Sequence, residues 1–137
     1  MSSIKMINKI RECFERDGKV WVIGNGGSSA EASHLSEEFI SLGYPVIALN
    51  DSAVITALAN DFSYEEAFAI YLEAVAKAGD ILITLSTSYK SENILEAIDR
   101  AEELGIKVIK FPRKGKTTEE IQNNHLVLIH KLYKKFK

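Results

Sequence analysis

Four short, mostly apolar runs alternate with segments of helical periodicity along the chain. The runs cover residues 20–23, 46–49, 81–85 and 107–111, and runs of this length are typical of strands buried on both faces of a sheet. Helices are predicted over residues 4–16, 29–41, 63–78 and 92–104, and a last one from Thr117 almost to the end. Two helix starts, Ser63 with Glu66 and Thr117 with Glu120, match a capping box. This alternation predicts an α/β fold in three layers, with a mostly parallel sheet between helices.

A flavodoxin-like strand order, 2-1-3-4, would bring two polar loops together. In that order the winding direction reverses between strands one and three, and ligands bind beyond the carboxyl ends of those strands. The loops that follow them are residues 24–29, Gly-Asn-Gly-Gly-Ser-Ser, and residues 86–91, Ser-Thr-Ser-Tyr-Lys-Ser. We name them the glycine loop and the serine loop.

The glycine loop has the chemistry of an anion site. Its glycines allow positive φ and close approach of a ligand, and the helix that follows directs its positive end at the same point. The loop lacks the Lys of a Walker A motif and the spacing of a dinucleotide fingerprint, so a glycine-rich turn without a ligand is the alternative. With the serine loop beside it, the pattern favours a phosphate-bearing ligand. A serine cluster without Arg suits a sugar phosphate better than a triphosphate.

Composition restricts the class of protein. The 137 residues are 46% apolar, which predicts one domain over residues 1–137. No run of 18 apolar residues and no signal-peptide core is present, so we expect a cytoplasmic protein. A formal charge of −2 argues against nucleic-acid or membrane partners. The Lys-rich end, residues 131–137, is interpreted as a solvated helix terminus.

Five segments, taken together, resemble the sugar isomerase (SIS) domain family. They are Gly24-Asn25-Gly26-Gly27-Ser28, His34 with Glu38, Asn60-Asp61, Ser86-Thr87-Ser88, and the block 122–130. The resemblance covers residues 19–130 and implies an aldose–ketose isomerase without an organic cofactor. The substrate it implies is sedoheptulose 7-phosphate, converted to a heptose 7-phosphate for a heptose-containing surface polysaccharide. It also implies a homotetramer whose sites are completed by neighbouring chains.

The resemblance assigns roles to individual residues. The substrate would contact Asn25, Gly26, Gly27, Ser28, Glu38, Asn60, Asp61, Ser86, Thr87, Ser88, Ser91 and Gln122. A metal, usually zinc and one per chain, would be held by His34, Glu38, Gln122 and His130.

The residue types fit proton transfer through an enediol. Such an isomerisation needs a base and an acid, for which Glu38 and His130 are the candidates. His34 and Glu38 share a helix face at i and i+4, so they can reach one ion, although such a pair is more often a surface hydrogen bond. Gln122 and His130 are separated by eight residues, about 12 Å along a straight helix. Either the last helix begins after Gln122, or the two residues belong to different parts of one site.

Three differences from the family pattern leave a second function open. Tyr89-Lys90 replaces a family Gly-Asn, so either Tyr89 adopts a costly positive φ or the loop changes shape. The last family strand is missing, because only about ten residues join Phe111 to Gln122, and the N-terminal helical region is shortened to one helix. The alternative is a non-catalytic SIS module that binds sugar phosphate or a partner protein.

Overall fold

The sheet of the computed structural model has four parallel strands in the order β2-β1-β3-β4. The strands are β1 Val20–Gly24, β2 Val46–Ala48, β3 Ile81–Leu85 and β4 Lys107–Lys110, and all 137 residues are described. The central pair runs in register from Val20 opposite Ile81 to Gly24 opposite Leu85. This order confirms the predicted topology, with the change of winding direction between β1 and β3.

Six helices cover the two faces of the sheet. They are α1 Ser3–Glu15, α2 Gly27–Ile40, α3 Ser52–Asp61, α4 Tyr64–Val75, α5 Glu92–Glu103 and α6 Thr118–Phe136. The last helix carries the predicted capping box, since Thr117 Oγ1 accepts from the Glu120 N–H and the Glu120 carboxylate accepts from the Thr117 N–H. The three-layer α/β prediction is therefore confirmed.

The core consists of two apolar clusters, one on each face of the sheet. Alternate strand residues point to opposite faces, so Val20 and Val22 pack with α1, α2 and α6, whereas Trp21 and Ile23 pack with α4 and α5. Every residue of β1 and β3 is buried. Burial on both faces explains why these two strands are continuous apolar runs.

The largest difference from the predicted helix ends is at α4, which stops at Val75 instead of residue 78. The carboxylate of Asp80 accepts the N–H of Lys77 at 2.9 Å, and Ala76 has extended backbone angles. A side-chain acceptor thus replaces the helical carbonyl for this N–H, which ends the helix. α2 begins at Gly27, two residues before its predicted start, and no helix has the length and apolarity needed to cross a membrane.

His125 is a buried polar residue that joins α6 to the segment after β4. It is 1% exposed, its Nε2 lies 2.9 Å from the Pro112 carbonyl oxygen, and its ring packs edge-on against Phe111. Nδ1 is buried without a partner. Burial lowers the pKa of His125, and the Pro112 carbonyl opposes only part of that effect. The fold therefore favours the neutral imidazole.

We expect the folded protein to lose stability in acid through His125. The unfolded chain takes up a proton near pH 6.5, whereas the lowered pKa of His125 makes the folded chain take it up only at lower pH, so the free energy of unfolding falls as the pH drops below about 6.5. Urea unfolding above and below this pH, compared between the wild type and His125→Leu, measures the effect. The variant should show the weaker pH dependence, and equal dependence in the two proteins would contradict the assignment.

Candidate active site

The glycine and serine loops lie side by side, as predicted. Gly24 and Leu85 are opposite one another in the sheet, so the two loops leave neighbouring strands at the same level. The side chains of Asn25 and Asn93 exchange two hydrogen bonds of 3.0 and 2.8 Å, and the Tyr64 hydroxyl donates to Asn25 Oδ1 at 3.0 Å. These bonds tie the glycine loop to the first turns of α4 and α5.

The glycine loop needs glycine at two positions for different reasons. Gly26 has φ +55°, a conformation that costs a residue with a side chain. At Gly27 a Cβ atom would lie 2.7 Å from Nε2 of Gln122, so the side chain of Gln122 occupies that space. No side chain caps the N-terminus of α2. The N–H groups of Ser28 and Ser29 bond to carbonyls of the loop, so those of Gly26 and Gly27 are the ones left open to a ligand.

The serine loop presents hydroxyl donors beside an uncapped helix. Ser86 Oγ accepts the Tyr89 N–H at 2.9 Å, and Ser88 Oγ accepts the Lys90 N–H at 3.1 Å. Both hydroxyls keep a hydrogen to donate. Ser91 is the N-cap of α5 but makes no side-chain cap bond, so the first N–H groups of α5 are also free. This donor set suits a phosphate.

Tyr89 adopts the costly conformation predicted as one of two alternatives, with φ +52°. Its hydroxyl lies 3.0 Å from Thr84 Oγ1 and donates towards the carbonyl oxygens of Thr84 and Phe111, at 3.0 and 3.1 Å. Burial raises the pKa of Tyr89 to about 12, with these hydrogen bonds opposing the rise. The buried bonds offset the strain, which is of the order of 1–3 kcal/mol for such a residue.

A cavity of about 220 Å³ opens beside the glycine loop, towards α3 and α4. Its lining combines the apolar Ile55 and Phe68 with the polar Asn25, Ser29 and Asn50. Asn60 and Asp61 do not line it. They are exposed at the end of α3, where Asn60 donates to the Asp61 carboxylate at 3.1 Å, and their contact with the substrate stays a prediction.

Glu38 holds two histidines together on the other face of the sheet. His34 Nε2 lies 2.7 Å and His130 Nδ1 2.9 Å from Glu38 Oε1, and the two imidazole rings meet edge-on. Ligand atoms from the three residues lie within 4.8 Å of one another. Glu38 Oε2 is buried without a partner. Two imidazole nitrogens and a carboxylate oxygen are a donor set that zinc accepts, so the residues fit the predicted metal.

Gln122 is separated from His34, Glu38 and His130 along the axes of α2 and α6. α6 begins at Thr118, so the alternative in which the last helix starts after Gln122 is wrong. The Gln122 amide lies against Gly27, and Gly27 precedes His34 by seven residues, about 10 Å along α2. The structure thus brings His34, Glu38 and His130 together, and Gln122 as a further ligand stays a prediction.

Glu38 lies farther from the two loops than the sequence led us to expect. It follows Gly27 by 11 residues, about 16 Å along the axis of α2. Sequence reasoning placed this carboxylate beside the switch point because it lies on the first helix after the glycine loop. The helix, however, runs back along the sheet and carries Glu38 away from the loop that starts it.

Glu31 is a polar residue of this face that sequence reasoning did not single out. It lies three residues before His34, its Oε2 is buried without a hydrogen-bond partner, and desolvation raises the pKa of Glu31 to about 7. The spacing could have identified Glu31, because positions 31, 34 and 38 share one helix face.

Comparison with known proteins shows where the chain belongs. The SIS domain family model matches residues 3–111. The chain is 37% identical to a phosphoheptose isomerase of Thermodesulfovibrio yellowstonii, over 93% of this chain and 77% of the relative. It is 41% identical to a phosphoheptose isomerase of Histophilus somni, over 82% of this chain, and there it spans only 63% of the relative's length.

A solved structure agrees with these relatives in fold. The phosphoheptose isomerase of Neisseria gonorrhoeae superposes with a TM-score of 0.93 at 29% identity, over 98% of this chain and 84% of that one. The predicted resemblance is confirmed by the family match, the identities and the superposition, which agree with the strand order and with the two loops described above. The chain belongs to the SIS domain family.

Proposed function

We propose that this chain is an aldose–ketose isomerase that converts sedoheptulose 7-phosphate to a heptose 7-phosphate. The observation that carries the proposal is the Glu38 carboxylate, which two histidines hold by one oxygen while the other stays unpartnered. The names of the relatives, phosphoheptose isomerase, support the same reaction. Turnover of sedoheptulose 7-phosphate by the purified protein tests it directly.

Proton transfer accounts for the reaction. Oε2 of Glu38 takes the proton from C1, the electrons pass to O2 of the resulting enediolate, and His130 supplies a proton to that oxygen. Glu38 then returns the carbon-bound proton to C2, and His130, which gave its proton to O2, takes the proton from O1, so that the aldose forms and both residues return to their starting states. The Nδ1 atom of His130 faces Glu38, which leaves Nε2 of this half-exposed ring free to serve the substrate oxygens.

The phosphate group would bind at the serine loop. Its hydroxyls, the open N-terminus of α5 and the adjacent glycine loop supply neutral donors and a positive helix end. We expect Ser88→Ala to weaken sugar-phosphate binding by about 1.5–3 kcal/mol, the value for a hydrogen bond to a charged group. Calorimetric titration measures this, and Ser3→Ala on α1 is the control. Equal affinity of the two folded variants for sugar phosphate would show that the phosphate binds elsewhere.

A zinc ion at His34, Glu38 and His130 is part of the proposal. When bound, such an ion would supply Lewis-acid stabilisation of negative charge on the substrate oxygens. We expect purified protein to carry up to one zinc or similar divalent ion per chain, and His34→Ala to lose it. Elemental analysis of both proteins checks this, with His125→Leu as the histidine control. Full metal content in His34→Ala would contradict the site.

A homotetramer in the cytoplasm completes the proposal. The separation of about 16 Å along α2 between Gly27 and Glu38 supports a site to which two chains contribute, with the loops of one chain facing the Glu38 of a neighbour. This is the arrangement that the family resemblance implied. Binding of sugar phosphate without turnover would favour the second candidate, a non-catalytic SIS module, for which the altered Tyr89-Lys90 sequence is the specific observation.

A further inference from the structure

The segment after β4 is fastened to the serine loop at two points. The Tyr89 hydroxyl reaches the Phe111 carbonyl oxygen at 3.1 Å, and Arg113 Nε–H donates to the Thr87 carbonyl oxygen at 2.8 Å. Thr87 lies between Ser86 and Ser88, in the middle of the hydroxyl cluster. These contacts hold an arginine side chain against the loop, although 26 residues separate it from Thr87.

The guanidinium of Arg113 is available for a ligand. Its Nη groups make no hydrogen bond within the protein, and no carboxylate lies within 4.0 Å of it. Lys90, inside the serine loop, is exposed and is likewise without an ion pair. Glu92 in the first turn of α5 is the acidic neighbour of the loop, and it pairs with neither cation. Two unneutralised positive charges therefore stand at a cluster of hydroxyl groups.

We propose that Arg113 binds the phosphate group of the sugar phosphate, with Lys90 as a second cation at the same group. Arginine presents a planar set of N–H donors that matches phosphate oxygens in pairs, and the charge strengthens each bond. The inference deepens the proposed function and rests on it for the identity of the sugar, but the binding of phosphate can be measured separately. It replaces the expectation of a phosphate site without arginine.

Tyr89 is the positioning residue of this arrangement. Its side chain passes beneath the loop and bonds to the carbonyl of Phe111, two residues before Arg113. A glycine at position 89 would relieve the positive φ but would leave the end of β4 unattached to the loop at this point. Tyr89 is thus strained in its backbone, and its side chain links the segment that carries Arg113 to the phosphate site.

The test is a kinetic comparison of Arg113→Gln with Lys114→Gln. The two variants lose the same charge at adjacent exposed positions, and only Arg113 contacts the loop. We expect KM for sedoheptulose 7-phosphate to rise about 10- to 100-fold in Arg113→Gln, as for a lost charged hydrogen bond, with a much smaller change in kcat. Lys114→Gln should keep the wild-type KM. Wild-type KM should also rise with salt more steeply than that of Arg113→Gln.

Calorimetric titration with inorganic phosphate separates this inference from the proposed function. If the wild type turns over the sugar phosphate while Arg113→Gln and Lys114→Gln share one KM and one affinity for phosphate, the inference is overturned and the function stands. If phosphate binding depends on Arg113 while no turnover occurs, the arginine site stands and the isomerase assignment fails. Thermal melting of each variant shows that it is folded, and Arg113→Lys, which keeps the charge but loses the paired donors, should fall between wild type and Arg113→Gln.

Discussion

Glu38→Gln should bind sugar phosphate and lose about 100-fold or more of the turnover, which is the loss expected when a general base is removed. Glutamine keeps the shape of the side chain and one oxygen, which both histidines can still contact. Its amide nitrogen replaces Oε2 and cannot take a proton from carbon. Steady-state kinetics with sedoheptulose 7-phosphate measures the loss. In heavy water the wild type should also place deuterium at C1 or C2 of recovered sugar phosphate, and the variant should place far less.

Glu37→Gln is the matched control for this experiment. Glu37 is adjacent in sequence, exposed, and about 100° around the helix from Glu38, so its change should leave turnover near the wild-type value. Near-normal turnover of Glu38→Gln with a loss in Glu37→Gln would show that the wrong face of α2 had been assigned, and the pairing of His34 with Glu38 would fall with it. Mixing Glu38→Gln with Ser88→Ala chains should restore part of the turnover if two chains share each site.

Asp80→Ala should destabilise the fold by about 3 kcal/mol or more, since each unsatisfied buried donor costs roughly 1–3 kcal/mol. The Asp80 carboxylate accepts from the N–H of Lys19 at 3.0 Å, from Trp21 Nε1–H at 2.9 Å and from the N–H of Lys77 at 2.9 Å. It is 6% exposed. Removal of its oxygens leaves three donors without their acceptor at the start of β3, where β1, β3 and the end of α4 meet.

Urea unfolding followed by circular dichroism measures this loss. Asp99→Ala on the exposed side of α5 is the control, and a surface change of this kind usually stays within about 0.5 kcal/mol. Asp80→Asn keeps one oxygen and should lose less than Asp80→Ala. Superimposable unfolding curves for Asp80→Ala and Asp99→Ala would show that water replaces the carboxylate without cost.

The order of elements, apart from α3, which was not predicted as a helix, could be predicted from the sequence because it rests on local and periodic signals. Buried parallel strands read as continuous apolar runs, as in Ile81–Leu85, and the capping box at Thr117 places a helix start correctly. The strand order agreed with the flavodoxin-like arrangement expected for such an alternation of elements. Helix ends were less predictable. The end of α4 depends on Asp80, whose partners Lys19 and Trp21 are distant in sequence.

Part of the candidate site could likewise be predicted from the sequence, and part of it could not. His34 and Glu38 could be paired from the sequence because four residues on a helix return to the same face. His130 approaches them only because α6 packs against α2. Arg113 meets Thr87 only because the chain returns to the serine loop after passing through α5 and β4. The position of Gln122 was the least predictable, since its contact with Gly27 depends on how α6 and α2 lie beside one another.

The sequence by itself determined the α/β class, the glycine and serine loops and the helix face that carries His34 and Glu38. Each of these depends on residue types at short, regular spacings, which constrain the backbone wherever they occur. Only the tertiary structure decided that His130 of α6 meets Glu38 of α2, and that Tyr89 bonds beneath the serine loop to the end of β4. The physical reason is that direction and packing in space come from many distant contacts acting together, and no local pattern records them.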